Sequence, residues 1–397
     1  MKVLHISHVY PVPNDRLLGL AMHRQICELS RIGCEVRVIA PVPWRPFPAK
    51  YILRNWATYS YSDVPASDVL QGISVSYPKY TTFPKALLFS TSGRRMYSGI
   101  KRLVRAIRTD FPFDLIHAHM GLPDGYAGMI LARDYGSRLV ITIQATDIDI
   151  SANRGARCLH ALKTALNGAN RIISPSPRLS RGLVGRFGIS PATIGYGVDP
   201  DEYCPDPYRN ERLRKYKGRR VLLSVSRLTR SKGIELVLLA LKQLISQHQK
   251  LDYIVIGDGP EKERLHDLVQ TLGIQQRVTF LGNLSHREVM EYMGLCEVFC
   301  LPSWQETFGL VYVEAMLHGK PVVGCRGQGI DGLIVEGESG LLAEPRDVRS
   351  LINALEFLLD NNDVARRIGE EGRKLVLENY TWEASARKCM KVYEEVL

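Results

Sequence analysis

Continuous apolar runs of five or six residues recur along the chain and alternate with helix-length segments of mixed polarity. In the first half they are VLHIS (3–7), VRVIA (36–40), DLIHAH (114–119), LVITI (139–143) and RIISPS (171–176). In the second half they are VLLSVS (221–226), YIVIG (253–257), VTFLG (278–282), VFCLP (298–302) and PVVGC (321–325). Short runs rich in Val, Ile and Leu fit parallel strands covered by helices on both faces. Two successive sets imply an α/β protein of two doubly wound sheets facing each other. Between them lies GYGVDPDEYCPDPYRNE, rich in Pro, Gly and Asp, which puts the boundary near 195–215. We therefore read a first domain over 1–200 and a second over 201–379. The closing segment YTWEASARKCMKVYEEVL, over 380–397, has the apolar and aromatic spacing of an amphipathic helix.

At 397 residues and 45% hydrophobic, the chain has the length and apolar content for two buried cores. No run approaches the roughly 18 apolar residues that a membrane span needs. The start, MKVLHISHVYPVP, is too short and too His-rich for a signal sequence and reads as a first strand. Eight scattered cysteines hold no C-x-x-C pair, and the C-x3-C of Cys296 and Cys300 has no second pair to complete a zinc site. Reduced thiols in a cytoplasmic protein are the expectation. The net charge of +11 is uneven. Residues 1–200 hold 25 Lys and Arg against 12 Asp and Glu, net +13, and the remainder hold 27 against 29, net −2. That asymmetry points to an anionic partner for the first half alone.

The stretch SWQETFGLVYVEAMLHGKPVV, residues 303–323, carries the most chemistry. Glu306 and Glu314, separated by seven residues, bracket a Phe308-Gly309 turn, and an apolar helix starts near Phe308 and ends at Gly319. Free N–H groups at Thr307 to Leu310 would open that helix and suit an anion. A fully helical segment would put the glutamates at most roughly 12 Å apart, whereas a hydrolase carboxylate pair works at roughly 5–9.5 Å. The spacing suits a longer ligand with a charged middle, the shape of a sugar nucleotide. Upstream, Arg227 and Lys232 stand in SRLTRSKG between a strand and the helix GIELVLLALKQLI, two cations at a strand-to-helix turn. Gly257 and Gly259 lie in a Gly-Asp-Gly-Pro turn after another strand, at the edge where such sheets bind ligands.

Ser303, Glu306, Phe308, Gly309, Glu314, Ala315, Met316, Gly319 and Pro321 together resemble the E-x7-E signature of retaining GT-B glycosyltransferases, in particular the large family four. The S-R-L-x-x-x-K-G and G-x-G-P elements are similar to that family's as well. The resemblance implies a GT-B fold of two Rossmann-like domains around a cleft, with the terminal helix returning to the first domain. It implies that Arg227 and Lys232 neutralise the departing diphosphate, aided by the backbone at Phe308, Gly309 and Leu310. Glu314 would hold ribose hydroxyls, Glu306 would contact the donor sugar, and Gly257 and Gly259 would border the nucleotide. No D-x-D run of the kind that holds a metal in GT-A enzymes is present, so no metal and no cofactor beyond the donor is expected.

In the first domain, DLIHAHMGLPDG resembles the family's D-x-I-H-x-H segment on the acceptor side. His117 and His119 flank Ala118 and point to one face, and His119 is the choice for a catalytic role. Where most relatives read T-x-H-G-x-D, this chain has Thr142-Ile143-Gln144-Ala145-Thr146-Asp147. Gln144 does not titrate, so only its backbone carbonyl could take over the relatives' part. Gly19 is what remains of a glycine pair that approaches the donor phosphates, and Tyr196 stands where relatives carry Asn. A dehydrogenase would need G-x-G-x-x-G in the first turn, and it is absent.

Aromatic residues and cations interleave over 41–56, 77–89 and 93–108, among them Trp44, Phe47, Trp56, Phe83 and the cluster from Arg94 to Arg108. Either these cations meet an anionic membrane surface, or they form a solvated basic helix whose apolar side packs inward. No nucleic-acid module is recognised. The expectation is a metal-independent, retaining hexosyltransferase using a UDP- or GDP-sugar and a glycan or lipid-linked acceptor, in cell-surface polysaccharide synthesis. It would be cytoplasmic and peripheral on the inner face of the membrane. Alternatives are a GT-B epimerase or phosphorylase, and a catalytically weak homologue that binds a nucleotide sugar as a subunit.

Overall fold

The computed structural model describes residues 1–44, 64–204 and 206–397. They form two compact units. The first comprises Met1–Pro175, Leu179–Tyr196 and Ser385–Leu397, and the second Ser176–Arg178 and Gly197–Ala384.

The first unit is built on an eight-stranded sheet. Its strands are β1 (Lys2–Ile6), β2 (Glu35–Ile39), β4 (Ser67–Leu70), β5 (Ile73–Ser76), β7 (Leu115–Ala118), β8 (Arg138–Thr142), β9 (Arg171–Ser174) and β10 (Ala192–Thr193), in the order β10-β9-β8-β7-β1-β2-β5-β4. All neighbours run parallel except β4, which is antiparallel to β5. The short β3 (Val42–Trp44) and β6 (Lys79–Thr81) pair separately. β1 and β7 are buried almost throughout, because helices cover both faces of the sheet. On one face Met96, Ile100 and Val104 of the helix Ser92–Asp110 pack over Leu4, Ile116 and Ile141. On the other, Cys389, Val392 and Tyr393 of the helix Trp382–Val396 pack over Val3, Leu115 and Val140. The direction of strand succession reverses between β1 and β7, so the turns leaving these two strands flank the crevice where doubly wound sheets bind ligands.

The second unit has six parallel strands in the order β13-β12-β11-β14-β15-β16. They are β11 (Arg220–Val225), β12 (Leu251–Ile256), β13 (Val278–Phe280), β14 (Val298–Cys300), β15 (Val322–Cys325) and β16 (Leu341–Ala343). The reversal here falls between β11 and β14.

Three histidines, His5, His117 and His119, are buried in or beside the first sheet, and His5 Nε2 is buried without a hydrogen-bond partner among the described residues. His5 of β1 lies in register with His117 of β7, and the rings of His5, His117 and His119 stack, His117 and His119 with centroids 4.2 Å apart. His5 Nδ1 and His119 Nε2 are hydrogen-bonded at 2.9 Å. His117 is held by Tyr393 Oη at 2.6 Å and Thr142 Oγ1 at 2.7 Å. One nitrogen from each of the three rings lies within 4.8 Å of the others, a spacing a metal ion could use, yet these hydrogen bonds already occupy the ring nitrogens in part. Burial holds all three neutral: His5 and His117 fall well below the usual histidine value, and His119 falls to about 3.

The sign of the resulting pH dependence follows from linkage. Histidine in the unfolded chain takes up protons below about 6.5, while these buried rings do not. Their stabilisation is therefore complete above that value and is lost as pH falls toward about 3. Each neutral ring forfeits about 2 kcal/mol by pH ~5. Asp147, raised to about 6 by burial against the pull of its backbone hydrogen bonds, contributes with the opposite sign between its folded and unfolded values. The three histidines outweigh it, so the melting temperature should fall steadily from about pH 7 to pH 5. A melting temperature flat across that window would mean that the stack is charged or exposed.

Candidate functional site

In the second unit the candidate groups gather in the turns that leave β11, β12 and β14. After β11 the chain runs through Ser226–Gly233 into the helix Ile234–Leu244, and after β14 it runs through 301–309 into the helix Leu310–Leu317. These two turns touch because Gly233 has no side chain. Its φ is 72°, and a Cβ there would stand 2.6 Å from the Pro302 carbonyl oxygen. Trp304 N–H donates to the Ser231 carbonyl at 3.0 Å and closes the contact. Lys232 Nζ thereby reaches Glu306 Oε2 at 2.6 Å, with the two side chains 21% and 14% exposed. Arg227, on the same turn, is exposed; its carbonyl accepts the Thr229 N–H at 2.8 Å, and its guanidinium makes no hydrogen bond or ion pair among the described residues. Of the three cations on this turn, Lys232 is thus spoken for by a carboxylate, whereas the Arg227 guanidinium is free for an anion.

The turn 257–260 after β12 lies against the Arg227 turn. A Cβ at Gly257 would come 1.8 Å from the Ser226 carbonyl oxygen, and one at Gly259 2.4 Å from that of Leu228. Leu228 N–H donates to the Asp258 carbonyl at 2.9 Å. Both glycines thus let two backbone turns meet, and what they position is the Arg227 segment.

The helix expected from near Phe308 begins at Leu310 instead, with Gly309 as its N-cap. Gly309 has φ 88°, and the Tyr312 ring would stand 2.5 Å from a Cβ there, so the left-handed residue sets the helix start. Thr307 N–H is occupied by Glu306 Oε1 at 3.3 Å. Phe308 is buried, its ring against Tyr380, so what it can offer a ligand is backbone. Glu314 lies on the helix, 7% exposed, with its Oε1 4.0 Å from His286 Nδ1. His286 Nε2 pairs with Glu202 at 2.9 Å. The one-turn-on residue His318 donates from Nδ1 to the Glu314 carbonyl and accepts the Cys204 N–H at Nε2, 2.8 and 3.0 Å. Burial lowers its pKa to about 4, which fixes this neutral tautomer. A cavity of about 510 Å³ opens beside this chain, lined by Glu202, Tyr203, Asn210, His286 and Glu291. Glu202 and His286 were not singled out in the sequence, since two residues 84 positions apart leave no local spacing to read.

In the first unit, Gly19 caps the helix Leu20–Arg31 with φ 65°, and a Cβ there would sit 2.2 Å from the Val9 carbonyl oxygen. His119 is 1% exposed and belongs to the histidine stack, which leaves it little contact with any ligand in this conformation. Gln144 Nε2 donates to Tyr196 Oη at 2.8 Å, so two of the positions that depart from the family pattern are bonded to each other. Asp147 is fully buried and accepts three main-chain N–H groups, from Gln144 and Gly121 at 3.0 Å and Leu122 at 3.2 Å. It ties the turn after β8 to the turn after β7. In that second turn Asp124, also fully buried, meets His8 from the turn after β1, Nδ1 to carboxylate oxygens at 2.9 and 3.0 Å.

Comparison with known proteins agrees with this architecture. Residues 209–375 match the model of glycosyl transferases group 1, and residues 21–202 match that of glycosyltransferase family 4. TuaC of Bacillus subtilis, named as a teichuronic acid biosynthesis glycosyltransferase, is 26% identical over 89% of this chain and 88% of its own. The glycogen synthase of Mycobacterium tuberculosis is 27% identical over 99% of this chain and 94% of its own. Among solved structures, sucrose-phosphate synthase from Thermosynechococcus elongatus superposes with a TM-score of 0.78 at 22% identity, covering 100% of this chain and 98% of that one. HepE of Anabaena, solved in complex with UDP, gives 0.75 at 22% identity over the whole of both chains. The chain belongs to the glycosyltransferases of the GT-B fold, of the family-four type.

Proposed function

We propose that this glycosyltransferase moves a hexosyl unit, with retention and without a divalent metal, from a nucleoside diphosphate sugar held by the second unit to a glycan or lipid-linked acceptor served by the first. The observation that carries the reading is the pair of cations on the turn after β11, Arg227 free and Lys232 bridged to Glu306. A diphosphate leaving group gains charge as the anomeric bond breaks, so groups fixed beforehand at its position act mostly in the transition state. Arg227, Lys232 and the N–H groups opening the helix Leu310–Leu317 are such groups. Glu306 is left to face the sugar when a phosphate draws Lys232 away, and Glu314 holds the ribose hydroxyls. That HepE was solved with UDP supports a uridine or similar donor, and TuaC supports a role in cell-surface polysaccharide synthesis. A second reading, a catalytically weak nucleotide-sugar-binding subunit, draws on Gln144, whose amide is tied to Tyr196. Release of nucleoside diphosphate from the donor separates the two.

The positive first unit is read as the side that docks on an anionic membrane. The helix Ser92–Asp110 buries its apolar stripe and exposes Arg94, Lys101, Arg102 and Arg105. Ahead of it Leu87 and Leu88 are 61% and 53% exposed, Trp44 is 44% exposed, and Arg95 stacks on Phe83 at 4.8 Å. Phe47 and Trp56 lie outside the described residues. No described helix is long and apolar enough to cross a membrane, so attachment would be peripheral, on the cytoplasmic face.

Screening UDP-, GDP- and ADP-sugars by thermal stabilisation identifies the donor. Its nucleoside diphosphate should then bind equally with and without chelator, and Arg227→Ala or Lys232→Ala should weaken binding by about 1.5–3 kcal/mol. Binding that needs magnesium or manganese would sink the metal-free reading. Glu306→Gln should cut turnover far more than nucleotide affinity, and Glu314→Ala should do the reverse; intact transfer in both would refute the assignment. Co-sedimentation with vesicles should require anionic lipid and fade at high salt, where screening shortens to roughly 3 Å. Equal, negligible binding to neutral and anionic vesicles at low salt would instead favour an acceptor in solution.

A further inference from the structure

A third turn of the second unit lies against the Glu306 segment, the one that leaves β15. It meets residues 307 and 308 backbone to backbone: a Cβ at Gly329 would stand 2.7 Å from both Phe308 N and the Thr307 carbonyl carbon. Gly327, with φ 74°, and Gly329 flank Gln328, so Gln328 supplies the side chain of this stretch. The charged residues around it are already engaged. Arg326 pairs with Glu336 at 2.8 Å and Glu344 at 2.7 Å, and Asp331 accepts the Gly327 N–H at 2.6 Å.

Gln328 is half-buried, and its Oε1 accepts the Glu306 main-chain N–H at 3.3 Å. That bond fixes the orientation of the amide, because a main-chain N–H needs an oxygen opposite it. Nε2, on the same carbon, is therefore held beside Glu306 with two N–H groups to donate, and it makes no hydrogen bond among the described residues. The Glu306 carboxylate, which only accepts, stands next to a neutral amide nitrogen, which only donates.

We propose that Gln328 is a specificity-determining residue for the donor sugar: Nε2 donates to the oxygen of one sugar hydroxyl, while that hydroxyl donates its hydrogen to the Glu306 carboxylate. This rests on the reading that Glu306 faces the donor sugar. A hydroxyl is donor and acceptor at once, and the carboxylate satisfies only its donor side. Lys232, the other donor beside Glu306, goes to the diphosphate in that reading, which leaves the amide for the sugar. A cation at 328 would compete for the diphosphate; an uncharged donor does not. A sugar with that hydroxyl inverted or missing leaves the amide and the carboxylate unmatched, and selection comes from that penalty. A residue that merely stapled the two turns would need only an acceptor at 328.

The test compares kcat/KM for nucleoside diphosphate release from UDP-glucose, UDP-galactose, UDP-N-acetylglucosamine and UDP-xylose, or the matching GDP-sugars if that is the nucleotide bound. The wild type should prefer one of them. Gln328→Leu should lower kcat/KM for the preferred sugar by about ten- to a hundred-fold, as for a lost hydrogen bond in a desolvated site, and leave at least one poorer sugar nearly unchanged. Affinity for the free nucleoside diphosphate should stay at the wild-type value. Gln328→Glu keeps an acceptor for the Glu306 N–H but has no N–H to give, and it should lose the preference as well. A loss shared equally by every sugar, or wild-type preference in Gln328→Glu, reduces Gln328 to a staple and overturns the proposal. Should neither variant fold, NMR of the wild type decides it: the Gln328 side-chain amide signals should move when the preferred nucleotide sugar replaces the free nucleotide, and signals that stay in place overturn it. Failure of the donor reading is seen separately, as nucleotide binding indifferent to the loss of Arg227 or Lys232.

Discussion

A parallel strand buried on both faces leaves a protein only its ends for chemistry, and here the turns at the carboxyl ends carry the candidate groups, with Glu314 on the helix that follows one of them. In the second unit the decisive contact is the approach of two such ends, after β11 and after β14, to within backbone distance. Gly233 against Pro302 makes the approach, and the Lys232–Glu306 ion pair is its consequence. Without it the cation and the carboxylate would belong to two unrelated turns. The pair is largely withdrawn from water, so removing either partner would strand a charge of some cost. A phosphate arriving beside Lys232 would replace one negative partner by another, which keeps the cation compensated and releases Glu306 toward the sugar.

The same constraint organises the first unit differently. Its turns are joined by buried carboxylates that accept main-chain N–H groups: Asp147 links the turns after β7 and β8, and Asp124 links those after β1 and β7. Carboxylates in a dry setting need such donors, and three loops are thereby fixed relative to one another. The histidine stack beneath them comes from strand register, since β1 pairs with β7 so that His5 meets His117. It is a neutral, hydrogen-bonded core, and it accounts for both histidines of the D-x-I-H-x-H segment.

The legibility of the sequence followed the range of the forces involved. All ten apolar runs proved to be strands, because a strand buried on two faces must be apolar along its length. The strands β3 to β6, β10 and β16 went unread; they are short, and residues such as Ser67, Asp68 and Lys79 interrupt any apolar run. Arg227 and Lys232, or Glu306 and Glu314, stand close enough in sequence for spacing to carry meaning, and the second unit keeps all four on neighbouring turns and one helix. The helix start slipped from Phe308 to Leu310 because the left-handed conformation of Gly309 is invisible to periodicity. His8 with Asp124, 116 positions apart, and Glu202 with His286 are tertiary pairs, for which no local pattern exists. The bond from Gln144 to Tyr196 joins two departures from the family pattern that separately looked like losses.

The central claim is that the second unit holds the nucleoside diphosphate between the turn after β11 and the start of the helix Leu310–Leu317. Amide hydrogen exchange with and without saturating UDP, or GDP if that is the nucleotide bound, tests it most directly. The account predicts slower exchange over 227–233 and 309–314, with the β-sheet of the first unit unchanged. Protection confined to the first unit, or absent from both of those segments while the nucleotide is bound, would contradict it.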